Sequence, residues 1–147
     1  MPNISGAFTG KATSQTTINL PDADDHQLNL AQINGEQTST DTDWNESKLT
    51  YWGIADLRSG SGTQQGYYVN EHADGDRDWG TFAGKITTQG NDVTLEGTFK
   101  FEGGTGKFNG ISGGGTYKGR AISPTELRMS WEGTYQLGAA RMAGGGR

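Results

Sequence analysis

Cysteine is absent from the 147 residues, which excludes disulfides, thiolate nucleophiles and cysteine-based zinc sites. Basic side chains number 12 against 17 acidic ones, for a formal net charge of −5, and they are scattered along the chain. A nucleic-acid or anionic-membrane partner calls for clustered Lys and Arg, so neither is expected. No apolar run approaches the roughly 20 residues of a membrane span. The opening Met1-Pro2-Asn3-Ile4 lacks the basic and apolar regions of a secretory leader. The expectation is a soluble, cytoplasmic protein, although a chain trimmed of its leader would read the same. Long aliphatic residues are also few, yet 25 glycines and 10% aromatic residues do not form the charged, aromatic-poor composition of disorder.

What the chain has instead is a repeat. Gly80-Thr81-Phe82, Gly97-Thr98-Phe99, Gly115-Thr116-Tyr117 and Gly133-Thr134-Tyr135 recur at intervals of 17, 18 and 18 residues. Each copy sits in an alternating run bounded by turn residues, which is how a strand with one buried face reads. Earlier in the chain, strands are expected over residues 4–20, 26–40, 48–57 and 64–72. They are separated by an acidic turn at Pro21–Asp25, a polar loop at 39–47 with Trp44 tucked back, and the Ser59-Gly60-Ser61-Gly62 turn. Asn34-Gly35 reads as a bulge or a tight bend.

Turn chemistry sets the register of the later strands. A two-residue turn at Asp74-Gly75 faces Tyr67 with Phe82 and Val69 with Gly80. A second at Gly90-Asn91 faces Phe82 with Phe99, Gly84 with Gly97 and Ile86 with Leu95. A hairpin at Ser123-Pro124 faces Gly115 with Gly133, Tyr117 with Trp131 and Ala121 with Leu127. The glycine and the aromatic of each repeat then share one inner face, with threonine outside. A one-residue slip in any of these hairpins would turn its apolar set outward. Strand three remains open: Leu49, Tyr51 and Leu57 point inward, or Trp52, Ile54 and Asp56 do. Eight strands joined by short connections suggest an all-β, eight-stranded antiparallel up-and-down β-barrel, which leaves no sheet edge. It forms one domain over residues 1–137, followed by a Gly/Ala/Arg tail at 138–147.

Between the sixth and seventh strands lies Glu102-Gly103-Gly104-Thr105-Gly106-Lys107-Phe108-Asn109-Gly110. This segment, between a Phe-rich and a Gly-rich strand, resembles the allene oxide cyclase-like and dirigent-like barrels, over residues 66–135. The resemblance implies a calycin-like barrel, a homo-oligomer (dimer or trimer) and an apolar ligand cavity. Its enzymatic members work without a cofactor on a bound apolar substrate. No catalytic motif of that family matches residue by residue. The segment itself reads as structural, with Thr105 capping a short turn and Phe108 plugging a barrel end.

Other constellations read as structure first. Gly106-Lys107 lacks the remaining residues of a phosphate loop. Asp74, Asp76 and Asp78 open like a calcium loop, but Trp79 and Lys85 stand where its glycine and glutamate belong. A hairpin with solvated acids explains them better, and no metal site is assigned. Asp22, Asp24 and Asp25 likewise read as a solvated turn. His26 and His72 fall at strand ends and read as rim residues. The strand-four register puts Glu71 inside with Tyr67. A carboxyl held against aromatic rings has the raised pKa that a general acid or base needs. Glu71 and Tyr67 are therefore the catalytic candidates, unless strand four frays and leaves Glu71 solvated. Tyr67, Phe82, Phe99, Tyr117, Met129, Trp131 and Tyr135 are the candidate ligand wall, for an apolar or aromatic small molecule. A cofactor-free cyclisation or isomerisation is the reaction such a wall would support. A non-catalytic carrier, or a barrel filled by its own rings and acting through its surface, is the competing reading.

Overall fold

The computed structural model describes residues 2–138. Its strands are β1 (Asn3–Asn19), β2 (His26–Ser39), β3 (Lys48–Arg58), β4 (Ser61–Glu71), β5 (Arg77–Gln89), β6 (Asp92–Gly104), β7 (Ser112–Ala121) and β8 (Glu126–Gln136). Each pairs antiparallel with its sequence neighbours, and β8 closes onto β1. The expected eight-stranded antiparallel up-and-down β-barrel is what forms. Among the described residues the one helical element is a 3-10 turn, Gly106–Phe108. Gly138, the one residue of the expected tail that is described, is buried close to Gly110; the rest of that tail lies outside the described residues.

Two of the three registers read from turn chemistry hold. Phe82 faces Phe99 and Gly84 faces Gly97, and Tyr117 faces Trp131. The β4–β5 register differs by one residue. Tyr68, not Val69, faces Gly80, and Gly66 faces Phe82. The cause lies in the turn, which has three residues. His72 N–H donates to the Asp76 carbonyl and Gly75 N–H to the His72 carbonyl, both at 2.9 Å. Gly75 takes a φ of 93°, the left-handed third residue of a three-residue hairpin loop. With a side-chain period of two, that single residue reverses β4.

The orientation of β3 is fixed by the other end of β4. Ser59 and Gly60 both have positive φ, forming a two-residue turn, so β4 begins at Ser61 and Arg58 faces it. Tyr51 then faces Tyr68 and Leu49 faces Asn70, all buried. Trp52 and Ile54 stand outside, 37% and 48% exposed. At Asn34-Gly35, where a bulge or a tight bend is expected, the pairing with β1 runs on in register and no bulge forms. The β1–β2 irregularity falls between Ala12 and Ser14, where Thr13 Oγ donates to Asn34 Oδ1 at 2.7 Å.

Candidate functional site

The barrel lumen is built from residues that alternate inward along every strand. Its glycines serve a purpose that alternation does not reveal. A Cβ at Gly6 would lie 2.5 Å from the Trp131 ring, and one at Gly97 or Gly84 would lie 2.6 Å from the Tyr117 hydroxyl. A Cβ at Gly80 would meet the Tyr68 hydroxyl at 2.6 Å, and one at Gly35 the Phe8 ring at 2.7 Å. Each of these rings therefore reaches over a glycine on another strand. The space beside each aromatic is occupied by another strand's aromatic. Edge-on contacts join these rings into one lining, including Phe99 to Trp131 at 6.1 Å, Phe82 to Tyr117 at 6.0 Å and Tyr51 to Phe82 at 5.3 Å.

What remains open is a cavity of about 80 Å³. Phe82, Phe99, Tyr117, Met129 and Trp131 border it as expected, together with Phe8, Leu49, Tyr51, Tyr68 and Phe101. It is roughly half the ~150 Å³ cavity known to take benzene. Polar groups reach its margin as carboxamides. Gln64 donates to the Tyr117 hydroxyl at 2.8 Å, and burial pushes that phenol up to about 12.

A second polar chain leads from the cavity toward one barrel end. Trp131 Nε1 donates to Gln37 Oε1 at 2.5 Å, and Gln37 Nε2 donates to Asn70 Oδ1 at 2.6 Å. Asn70 Nδ2 then donates to Asp78 Oδ2 at 3.2 Å. Asp78 Oδ1 lies 2.6 Å from His72 Nε2, and His72 Nδ1 donates to the Asp43 carbonyl at 2.6 Å. The His72 and Asp78 side chains are 2% and 0% exposed. Burial alone would lower His72, but Asp78 and the Asp43 carbonyl hold its imidazole above the usual value. Burial pushes the Asp78 carboxyl up, against the hydrogen bonds of His72, Asn70 and Trp44.

This pair sits beneath a cap. Trp44, on the β2–β3 loop, is 1% exposed and meets His72, Phe108 and Tyr135 at 5.1–5.3 Å. Phe108, also 1% exposed, stacks on His72 at 4.3 Å. The resembling segment thus places its aromatic as the plug the sequence suggested. Thr105 acts differently from expectation: its hydroxyl makes no cap bond and accepts the Arg77 N–H at 3.0 Å. Lys107 pins the cap from outside, with Nζ 2.7 Å from Asp43 and 2.9 Å from Asp74. Those two carboxylates raise the Lys107 pKa.

Several sequence expectations need correction. Tyr67 is 66% exposed and Glu71 is also exposed, because the three-residue turn reverses β4. Neither faces the lumen, so the geometry brings no general base there from these two. Tyr135 points inward but packs on Trp44 at the cap, away from the cavity. His26 and His72 do lie at strand ends, one at each end of the barrel, but both are buried instead of facing solvent. His26 is held between Asp22 at 2.5 Å and Asp56 at 2.6 Å, and the Asp22 bond leads in raising its pKa. Asp22 therefore has a partner, and Asp78 is not a solvated turn acid.

Sequence reasoning missed Tyr68, Asn70, Gln37, Gln64 and the His72–Asp78 pair. The signal for Tyr68 was the dipeptide Tyr67-Tyr68, which puts a tyrosine inside in either register. The others were hidden because polar residues on a strand were read as outward-facing. Among the described residues, no three His, Asp or Glu side chains are grouped to hold a metal ion, and no helix is long and apolar enough to cross a membrane. No protein-family model matches the chain, and no curated protein matches it in sequence.

Proposed function

We propose that this barrel binds a small apolar or aromatic molecule in its lumen, as an allene oxide cyclase-like or dirigent-like protein of the cytoplasm. The observation that carries the reading is the apolar cavity lined by aromatic rings. Concave, mostly apolar space with a few convergent polar groups is the usual form of a ligand site. Because the rings already fill the glycine gaps, the ligand is compact, or it displaces Met129 or Trp44. Native mass spectrometry of the protein purified from its own cells tests this. A ligand released on unfolding is expected, and its loss is expected in Met129→Trp, which fills the cavity. A folded protein that carries no ligand and takes up no small aromatic compound overturns the reading.

A cofactor-free cyclase or isomerase is the second reading. It is favoured by Asn70, which borders the cavity and donates to Asp78. A buried acid pair thus stands one side chain from the lumen. If the reading holds, Asp78→Asn abolishes turnover of the co-purified ligand while binding persists.

The homo-oligomer expected from the resemblance finds support on the outer wall. Leu30 faces Ile54 and Trp52 faces Tyr67 there, all of them substantially exposed. Light scattering on wild type and Tyr67→Lys should show the assembly and its loss.

A further inference from the structure

The Tyr68 hydroxyl is, among the described residues, the one buried side-chain polar atom with no hydrogen-bond partner. Tyr68 is 7% exposed and borders the lumen cavity. Its ring lies over Gly80, which faces it on β5 and presents no side chain to receive the proton. Tyr117, the other tyrosine that crosses onto β5, contrasts with it: Gln64 holds that hydroxyl at 2.8 Å. A buried hydroxyl left unpaired is a standing cost in a folded protein, rare enough that each instance calls for an explanation. The phenol keeps its proton, since burial and the nearby Asp78 and Glu102 charges all raise its pKa. It can therefore only be completed as a donor or by a donor to its lone pairs. No side chain around it makes either bond.

We infer that Tyr68 is the specificity residue of the lumen, donating its hydroxyl hydrogen to an acceptor oxygen on an otherwise apolar ligand, of the class of small cyclic ketones and aromatic carbonyl compounds. The inference rests on the lumen-binding reading and adds the ligand's one polar atom. Such an oxygen would replace nothing in the protein. It would pair the single buried donor that the fold leaves open, so the carbonyl compound gains over its hydrocarbon isostere.

The test uses full-length wild type and Tyr68→Phe with two probes of equal shape, cyclohexanone and methylenecyclohexane. Affinities are read from NMR titrations of the tryptophan indole signals. The carbonyl's advantage over the hydrocarbon should fall about two- to tenfold in Tyr68→Phe, with hydrocarbon affinity unchanged. Without ligand, Tyr68→Phe should melt at the wild-type temperature or a few degrees above it, because an unpaired hydroxyl has been removed. An equal carbonyl preference in both proteins overturns the role of Tyr68 and leaves the lumen reading standing. Binding of neither probe overturns both. A clear drop in melting temperature for Tyr68→Phe also overturns the inference, since it means that the hydroxyl already has a partner.

Discussion

The two ends of the barrel each hold a histidine against carboxylates, and they use the same chemistry to different degrees. At one end His26 bridges Asp22 and Asp56, whose side chains are both 53% exposed. At the other, His72 meets Asp78 with the pair almost wholly out of water, under Trp44 and Phe108. A hydrated ion pair contributes little, because water and salt screen it. A desolvated pair is costly to assemble but far costlier to break, because removing one partner strands the other. The difference shows where the molecule is committed: the His72 end is built around its pair, whereas the His26 end is tied shut by one.

Breaking that contrast at its strongest point gives the largest effect. Asp78→Ala leaves His72 Nε2 without its partner, only the Nδ1 bond to the Asp43 carbonyl remaining, and exposes the Asn70 amide to an empty site. A loss of about 3–5 kcal/mol is expected, or roughly 10 °C in melting temperature. Asp56→Ala at the open end should move the melting temperature by no more than about 2 °C. Calorimetry on the two variants decides the matter, and equal losses would remove the distinction between the ends.

Between the ends, the glycine slots predict a smaller, position-specific loss. Gly97→Ala drives a Cβ against the Ala83 carbonyl oxygen on β5 and against the Tyr117 hydroxyl, 2.6 Å away. Overpacking of this kind costs about 1–3 kcal/mol. Gly53→Ala places its Cβ 3.5 Å from Phe82, an ordinary contact, and should be nearly neutral. Urea denaturation of the pair separates a ring-bearing slot from a glycine that is merely inside.

These slots also mark how far the sequence could be read. The Gly-Thr-aromatic repeat and the turns at Gly90-Asn91 and Ser123-Pro124 were sufficient for the fold and for two registers, because alternation and turn chemistry are local. The site was less legible. One extra turn residue at Ala73-Asp74-Gly75 reversed β4, exchanging Tyr67 and Glu71 for Tyr68 and Asn70. Polar side chains such as Gln37, Asn70 and His72 are inward only because they satisfy one another across four strands and a loop. Pairings that distant in sequence leave no periodic trace.

The pH response should split between the two ends. The folded pKa of His72 is raised, so its contribution is fully present below the unfolded value of about 6.5 and is lost as pH rises through the folded value. The raised Asp78 value acts in the same sense, because the folded state then holds its proton more tightly than the unfolded chain does. His26 is raised as well, but among exposed partners. Melting temperature should therefore fall as pH increases above about 6.5. Most of that slope should vanish in His72→Gln and little of it in His26→Gln. The reverse ranking would mean that the exposed clamp, not the buried pair, governs the alkaline limb.

The smallest effect belongs to Lys107, which sits over the buried end but is itself in water. Its ammonium joins Asp43 on the β2–β3 loop to Asp74 on the β4–β5 turn, with side chains 38–48% exposed, and lies 5.5 Å from the centre of the Phe108 ring. Lys107→Met keeps the aliphatic stem over the plug and removes only the charge. Each bond taken alone would be a screened surface pair, but one ammonium serves two carboxylates, so the loss should reach the upper part of the ~0–1 kcal/mol range. Raising the salt concentration to about 1 M should erase the difference from wild type, because the contribution is electrostatic and solvent-facing. A loss that persists in high salt would show that Lys107 holds the cap through packing, and that the seal over His72 and Asp78 depends on the stem and its position, not on the ion pairs.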